Sequence, residues 1–298
     1  MTSMTDPIRA GGPAQGEDAA SSSSELAVRG LTVGYGETPV LRDVSVTFPA
    51  GAVTALVGAN GCGKSTLLKA CARQLSPSAG EILVGGADVS RWHRTRFART
   101  VGFLPQDPVA PEGVTVQELV ARGRHPYRGA FGRWRAQDDD AVAEAVELTG
   151  LGDLLERRVG DLSGGQRQRV WIALALAQHT DVLLLDEPTT YLDIARQAEI
   201  LDILTALQRS RGITLVMVLH ELSLAARYAD VLVALKDGAV AATGTAEQVM
   251  TDQVVSDVFD MSARVLHDAP TDARLVIPWT GPASTAPSTS RSPEEVLP

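Results

Sequence analysis

Between residues 25 and 279 the chain alternates short, mainly apolar runs with longer amphipathic stretches. Five runs, at 53–57, 101–104, 182–185, 215–219 and 231–235, read as buried strands. Three of them are apolar throughout rather than alternating, the pattern of a parallel sheet covered on both faces. Helices are predicted at 65–74, 138–149, 164–177, 195–209 and 222–229. Strands that alternate with helices predict an α/β core. The front differs: 26–33, 44–48 and 81–84 are short strands separated by Gly and Pro, which predicts an antiparallel portion. Residues 107–160 break the strand rhythm and read as mostly helical, a lobe inserted between two core strands. Residues 1–24 and 280–298 are rich in small and polar residues, show no periodicity and are expected to be disordered tails.

Composition narrows the class. Of 298 residues 44% are apolar and 21% charged, which excludes a collagen-like or wholly disordered chain. The net charge of −9 argues against a protein whose whole surface grips nucleic acid or anionic lipid, and leaves room for a local basic patch. The two cysteines, Cys62 and Cys71, would lie roughly 12–14 Å apart along a helix, too far to bridge, so a reducing compartment is expected. The start lacks the apolar core of a signal peptide, and no run approaches the ~20 residues that cross a bilayer. A soluble, cytoplasmic protein is therefore expected, and any work at a membrane would need a partner.

The strongest chemical signal is Gly58-Ala59-Asn60-Gly61-Cys62-Gly63-Lys64-Ser65-Thr66, a complete G-x-x-x-x-G-K-[ST] loop between a predicted strand and a predicted helix. Its glycines let backbone N–H groups converge on phosphates at a helix N-terminus. Lys64 would contact the β- and γ-phosphates, and Ser65 would offer its hydroxyl to Mg²⁺. Second, the apolar run at 182–185 delivers Asp186 and Glu187 at its C-terminal end, where α/β sheets hold ligands. Asp186 suits Mg²⁺ as an oxygen ligand, and Glu187 suits activation of water. Third, Leu162-Ser163-Gly164-Gly165-Gln166 reads as a capping box that opens a helix, a second anion-binding helix end. One nucleotide does not need two such ends, so Ser163–Gln166 would serve a nucleotide held by another subunit.

Together these motifs resemble the ATP-binding subunit of an ABC transporter, over about residues 26–279. The resemblance extends to Gln106 in Phe103-Leu104-Pro105-Gln106, to Tyr191-Leu192-Asp193, to His220 after the 215–219 run, and to Tyr35 in Gly34-Tyr35-Gly36. It implies a P-loop NTPase fold: a RecA-like parallel-sheet core, an antiparallel β-subdomain and an inserted helical subdomain. One ATPase domain would span 25–279, with the helical part at about 107–178. By the same resemblance Tyr35 would stack on adenine and residues 58–66 would bind the phosphates. Gln106 would reach Mg²⁺ and the attacking water and sense a membrane partner. Ser163, Gly164, Gly165 and Gln166 would contact ATP on the opposing subunit, and Asp193 would organise the dimer contact. His220 would hold the γ-phosphate and the geometry around Glu187.

Finer details resemble importers of ferric siderophores, haem or cobalamin: Gly123-Arg124-His125-Pro126-Tyr127-Arg128, Gln168-Arg169-Val170-Trp171-Ile172-Ala173 and the run Asp186 to Asp193. Residues 264–267 and 274–278 read as a terminal hairpin of the same group. Ala59 and Glu221 depart from the usual Pro and Asp but leave the required chemistry in place. The resemblance implies a homodimer that binds ATP and Mg²⁺, joined to integral membrane permease subunits and served indirectly by an extracytoplasmic binding protein. It places the chain at the cytoplasmic face of the cell membrane, with no nucleic acid expected. The five arginines of 122–135, with no acid among them, read as a contact surface near the permease. A soluble ABC ATPase that remodels ribosomes or chromosomes is the alternative; the single copy of each motif and the lack of sustained heptads speak against it. A simple phosphate-loop kinase or GTPase would leave residues 162–166 without a role.

Overall fold

A computed structural model describes residues 24–128, 132–190, 192–269 and 273–279. The chain runs β1 (Leu26–Tyr35), β2 (Thr38–Phe48), β3 (Val53–Val57), α1 (Lys64–Cys71), β4 (Ala79–Val84), β5 (Ala87–Asp88), α2 (Arg94–Thr100) and β6 (Val101–Leu104). After β6 come α3 (Val116–Ala121), α4 (Ala136–Leu148) and α5 (Gly164–Ala177). The remainder is β7 (Val182–Leu185), α6 (Ile194–Arg211), β8 (Thr214–Val218), α7 (Leu222–Tyr228), β9 (Val231–Lys236), β10 (Ala239–Gly244), α8 (Ala246–Val249), α9 (Asp252–Phe259), β11 (Ser262–Asp268) and β12 (Ala273–Trp279).

The apolar runs form the central sheet, in the order β10-β9-β3-β8-β7-β6. β6, β7, β8, β3 and β9 are parallel, and β10 pairs antiparallel with β9 at one edge. Every residue of β3, β7 and β8 is buried, as expected of strands covered on both faces. Burying each large aliphatic side chain there contributes about 1.5–3 kcal/mol. The antiparallel portion is a second sheet, β2-β1-β4-β5, and β11 and β12 form a separate hairpin. Among the described residues between β6 and β7 the elements are helical, apart from an isolated bridge between Thr115 and Arg158. α5 is the hub of that lobe: Val170, Ile172, Ala173 and Leu176 are buried, and α3 and α4 pack on it.

This connectivity sets up the site. In a parallel sheet the carboxyl ends of the strands share one edge, where ligands bind. β3 ends at Val57, just before the glycine loop; β7 ends before Asp186; β6 ends two residues before Gln106; β8 ends two residues before His220. Four segments far apart in sequence thus deliver their polar residues to the same edge.

Several expectations need correction. The strand expected at 44–48 begins at Thr38, and the helix expected at 65–74 ends at Cys71, because Arg73 takes a positive φ of 55°. Ser24, assigned to a tail, is anchored: its hydroxyl lies 2.9 Å from Thr214 Oγ1. The rest of the two expected tails, and Phe131 and Tyr191, lie outside the described residues. The basic stretch at 122–135 is not uniformly a surface. Arg124 is buried, paired with Asp138 at 2.8 Å, bonded to Ala177 O and stacked 3.8 Å above the Tyr127 ring. It holds the lobe together and is not available to a partner. Both cysteines are free and buried, and burial pushes the Cys71 thiol up to about 12.

Candidate functional site

The glycine loop leaves β3 through backbone that only glycine fits. Gly58 has φ 145°, and a Cβ there would sit 2.3 Å from Leu235 O. Gly63, the N-cap of α1, has φ 107°, and a Cβ there would meet Leu41 Cδ2 at 2.4 Å. No side chain caps α1, so its first N–H groups remain available to an anion. The Lys64 ammonium is buried and donates to Gly58 O at 2.8 Å and Ala59 O at 2.9 Å. Its neighbour Cys62 presents Sγ at 3.9 Å.

Facing the loop is the pair Asp186 and Glu187. Ser65 Oγ donates to Asp186 Oδ1 at 2.8 Å. Asp186 Oδ2 is buried and accepts no hydrogen bond among the described residues. Burial raises the Asp186 pKa; the Ser65 hydrogen bond works against that rise, and the adjacent Glu187 charge adds to it. A hydroxyl and an unsatisfied carboxylate oxygen, side by side, form a hard-oxygen donor set that suits Mg²⁺. Among the described residues no cluster of three or more His, Cys, Asp or Glu could hold a metal.

Glu187 is held from three sides. Gln106 Nε2 donates to Oε2 at 2.8 Å, Thr190 Oγ1 donates to the same oxygen at 2.9 Å, and His220 Nε2 lies 2.6 Å from Oε1. A carboxylate accepts only, so the Gln106 amide nitrogen and a protonated His220 Nε2 must face it. Glu187 itself adopts φ 54°, a left-handed conformation uncommon for a non-glycine residue. Asn60, Gly61, Gly63, Lys64, Ser65, Thr66, Gln106, Glu187 and His220 line one cavity of about 370 Å³.

The other predicted residues lie elsewhere. Ser163 caps α5 reciprocally with Gln166: Gln166 N donates to Ser163 Oγ at 3.3 Å, and Ser163 N donates to Gln166 Oε1 at 3.1 Å. A Cβ on Gly164 would meet nothing within 4 Å, so this turn is open. Ser163, Gly165, Gln166 and Asp193 line a second cleft of about 290 Å³ that shares no residue with the first. Asp193 is the exposed N-cap of α6 and accepts from Arg196 N at 2.9 Å. Tyr35 is half exposed at the end of β1 and is not among the residues that line the 370 Å³ cavity. Gln106 also borders a groove of about 530 Å³, lined by 106–113 and by Trp171 of α5.

Two residues escaped the sequence reading. Thr190 bonds Glu187, and Gln168 Nε2 donates to Pro188 O at 2.7 Å, tying α5 to the loop behind Glu187. No side-chain pattern marks Thr190: its hydroxyl reaches Glu187 because the backbone turns through a positive φ at Glu187.

The profile of the family described as ABC transporter matches residues 41–190. The chain belongs to the ABC transporter family. It is an ATP-binding, ATP-hydrolysing subunit. The ferric enterobactin transport ATP-binding protein FepC of Escherichia coli is 43% identical over 262 residues, 88% of this chain and 96% of that one. The iron(3+)-hydroxamate import ATP-binding protein FhuC of Bacillus subtilis is 44% identical over 256 residues, 86% of this chain and 95% of that one. Among solved structures, a chain of an ABC transporter described as of metal-chelate type, in an inward-facing conformation, superposes with a TM-score of 0.74 at 27% identity. It covers 86% of this chain, which covers 97% of it.

Proposed function

We propose that this ABC ATPase energises uptake of a siderophore-type ferric chelate through a separate membrane permease, from the cytoplasmic face of the membrane. The observation that carries the reading is similarity to FepC and FhuC over nearly the full length of both, since both are named for ferric complexes. No helix among the described residues is long and apolar enough to cross a membrane, consistent with a permease supplied by other chains. Residues 25–279 would act as one ATPase unit, with the helical part at about 107–178 meeting the permease. Gln106 lines both the phosphate cavity and the adjoining groove, which supports its role as the link between them.

ATP would lie with its phosphates on residues 58–66, and Tyr35 would meet the adenine. Lys64 would exchange its contacts with Gly58 O and Ala59 O for the phosphates. Ser65 and Asp186 would hold Mg²⁺, assisted by Gln106, and the ion would draw negative charge from the phosphates. Glu187 would orient a water and accept its proton, with His220 fixing Oε1 and supporting the γ-phosphate. The separation of the two clefts supports a homodimer, in which Ser163, Gly164, Gly165, Gln166 and Asp193 of one subunit complete the site of the other. Each nucleotide would then join two chains, and its loss would release them. A binding protein outside the membrane would deliver the chelate to the permease.

Glu187→Gln is expected to lower turnover by roughly 10²–10⁴ with ATP affinity retained, because a general base contributes about that much. Steady-state ATPase assays with nucleotide-binding titrations check this, and near-normal turnover would remove Glu187 from the role. The substrate is tested by reconstitution with the native permease. Stimulation by a binding protein loaded with a ferric siderophore is expected; stimulation only by one loaded with haem or cobalamin would overturn that choice.

A further inference from the structure

One face of the molecule carries positive charge that the ATPase chemistry does not use. The chain is acidic overall at −9, yet residues 89–101 contain four arginines and a histidine with no acid among them. Arg91, Arg94, Arg96 and Arg99, on and just before α2, are all exposed. α2 lies against the 3₁₀ turn Arg122–Tyr127: Arg99 Nε donates to Pro126 O at 2.9 Å, and its guanidinium sits 5.1 Å from the Tyr127 ring centre. That contact joins the α2 arginines to exposed Arg122, His125 and Arg128. Arg73 extends the face, donating to Trp92 O at 3.0 Å and lying over Phe97.

Pairing within the chain does not neutralise this charge. Arg91 reaches Asp88 at 3.5 Å, but Arg94, Arg96, Arg99, Arg122 and Arg128 make no ion pair among the described residues. The guanidiniums are interleaved with aromatic rings that are only partly covered: Arg96 lies 3.9 Å above Trp92, and Arg128 lies 5.2 Å from Trp134. Arginine beside Trp and Tyr is the composition of protein surfaces that meet lipid headgroups, where the ring sits at the interface and the cation takes a phosphate. The face also borders the groove beside Gln106: a shallow depression lined by Arg122, His125 and Arg128, and also by the acids Glu112 and Glu118, shares Pro111, Glu112 and Gly113 with that groove. The positive charge is therefore strongest on α2 and falls off toward Gln106.

We propose that the α2 and Arg122–Tyr127 face is a docking surface for anionic phospholipid headgroups. It would orient this otherwise acidic ATPase against the bilayer that holds its transport partner. The chemistry required is a sheet of phosphates, matched by separate guanidiniums spread over two elements rather than gathered into one pocket. A membrane-transport family places such a sheet next to the subunit, and an exposed cluster of arginines gives a −9 chain a charge that matches it.

The test is flotation of the full chain with vesicles of phosphatidylcholine mixed with phosphatidylglycerol, against phosphatidylcholine alone, without permease. Preferential capture by the anionic vesicles is expected, weakening as salt screens the charges. Arg94→Gln with Arg122→Gln removes two charges that make no side-chain hydrogen bond, ion pair or ring contact among the described residues, and should lower capture by about 25-fold, near fivefold per charge. ATPase activity should not change, which separates this surface from the catalytic reading, and Arg209→Gln on α6 should leave capture intact. Equal capture by both vesicle types, no capture at all, or full capture of the double variant would overturn the proposal. So would binding to duplex DNA as tight as to anionic vesicles, or capture only once the permease is present, since those outcomes assign the face to nucleic acid or to protein.

Discussion

Glu187 is where the sequence and the backbone say most about each other. Its left-handed φ of 54° turns the carboxylate back over its own loop, within reach of Thr190, while Gln106 and His220 arrive from the ends of two other strands. All three donors are therefore spent on one carboxylate, and the group that would take a proton from water is fixed in place. Thr190→Val is expected to lower kcat by about tenfold, the low end for one hydrogen bond to a charged group, because Gln106 and His220 remain. KM for ATP should hold, since Thr190 does not line the phosphate cavity, and Thr190→Ser should restore the rate. Equal losses in both constants, or no rescue by Ser, would reduce Thr190 to a structural part. Gln106, Glu187 and His220 were legible because each stands in a fixed motif. Thr190 was not, because its bond depends on a backbone turn at Glu187 that a side-chain pattern does not encode.

At the scale of elements, burial on both faces made the parallel strands readable. β7 and β8 are apolar at nearly every position, and no helix period competes with runs so short. β10 was missed because an edge strand alternates half-buried and exposed small residues, and the first part of β2 because it passes through Pro39. The helical lobe hid a different feature. The arginines near its start looked alike in sequence, but Arg124 and Asp138 are only 7% and 4% exposed and form a buried pair. Burial opposes the charge on Asp138, but hydrogen bonds from Arg124 and the Arg135 amide outweigh it and hold the carboxyl below its usual range. Asp138→Ala leaves a guanidinium unpaired in the interior and should cost about 3–5 kcal/mol, whereas Arg124→Met with Asp138→Leu should cost much less. Denaturant midpoints of the two variants against the unsubstituted chain check the order. Because the folded pKa is depressed, this contribution is full above the unfolded-chain value of about 4 and falls away as the pH drops through the lower folded value.

At the scale of the whole molecule, the chain carries two clefts that share no residue, which is what the proposed dimer requires. The loop 58–66 opens into one cavity and the Ser163–Gln166 turn into another, with Asp193 beside the second. Ile194, next to Asp193, is 81% exposed, an apolar side chain with nothing over it in the single chain. A second subunit that seats its ATP on Ser163 and Gln166 would account for both the open turn and that side chain. The coupling must then run through nucleotide: a ligand tightens an assembly only by its differential affinity for the joined state. In the Glu187→Gln variant, where ATP persists, ATP with Mg²⁺ should tighten self-association by about 5–150-fold over ADP. Sedimentation velocity of the full chain reads this directly. Adding Ser163→Arg should abolish the ATP-dependent step without lowering ATP binding to the monomer, since Ser163 is not in the cavity that holds Lys64. Persistence of that step in the double variant would show that the turn is not the second half of the site, and the capped N-terminus of α5 would then be only the start of a helix.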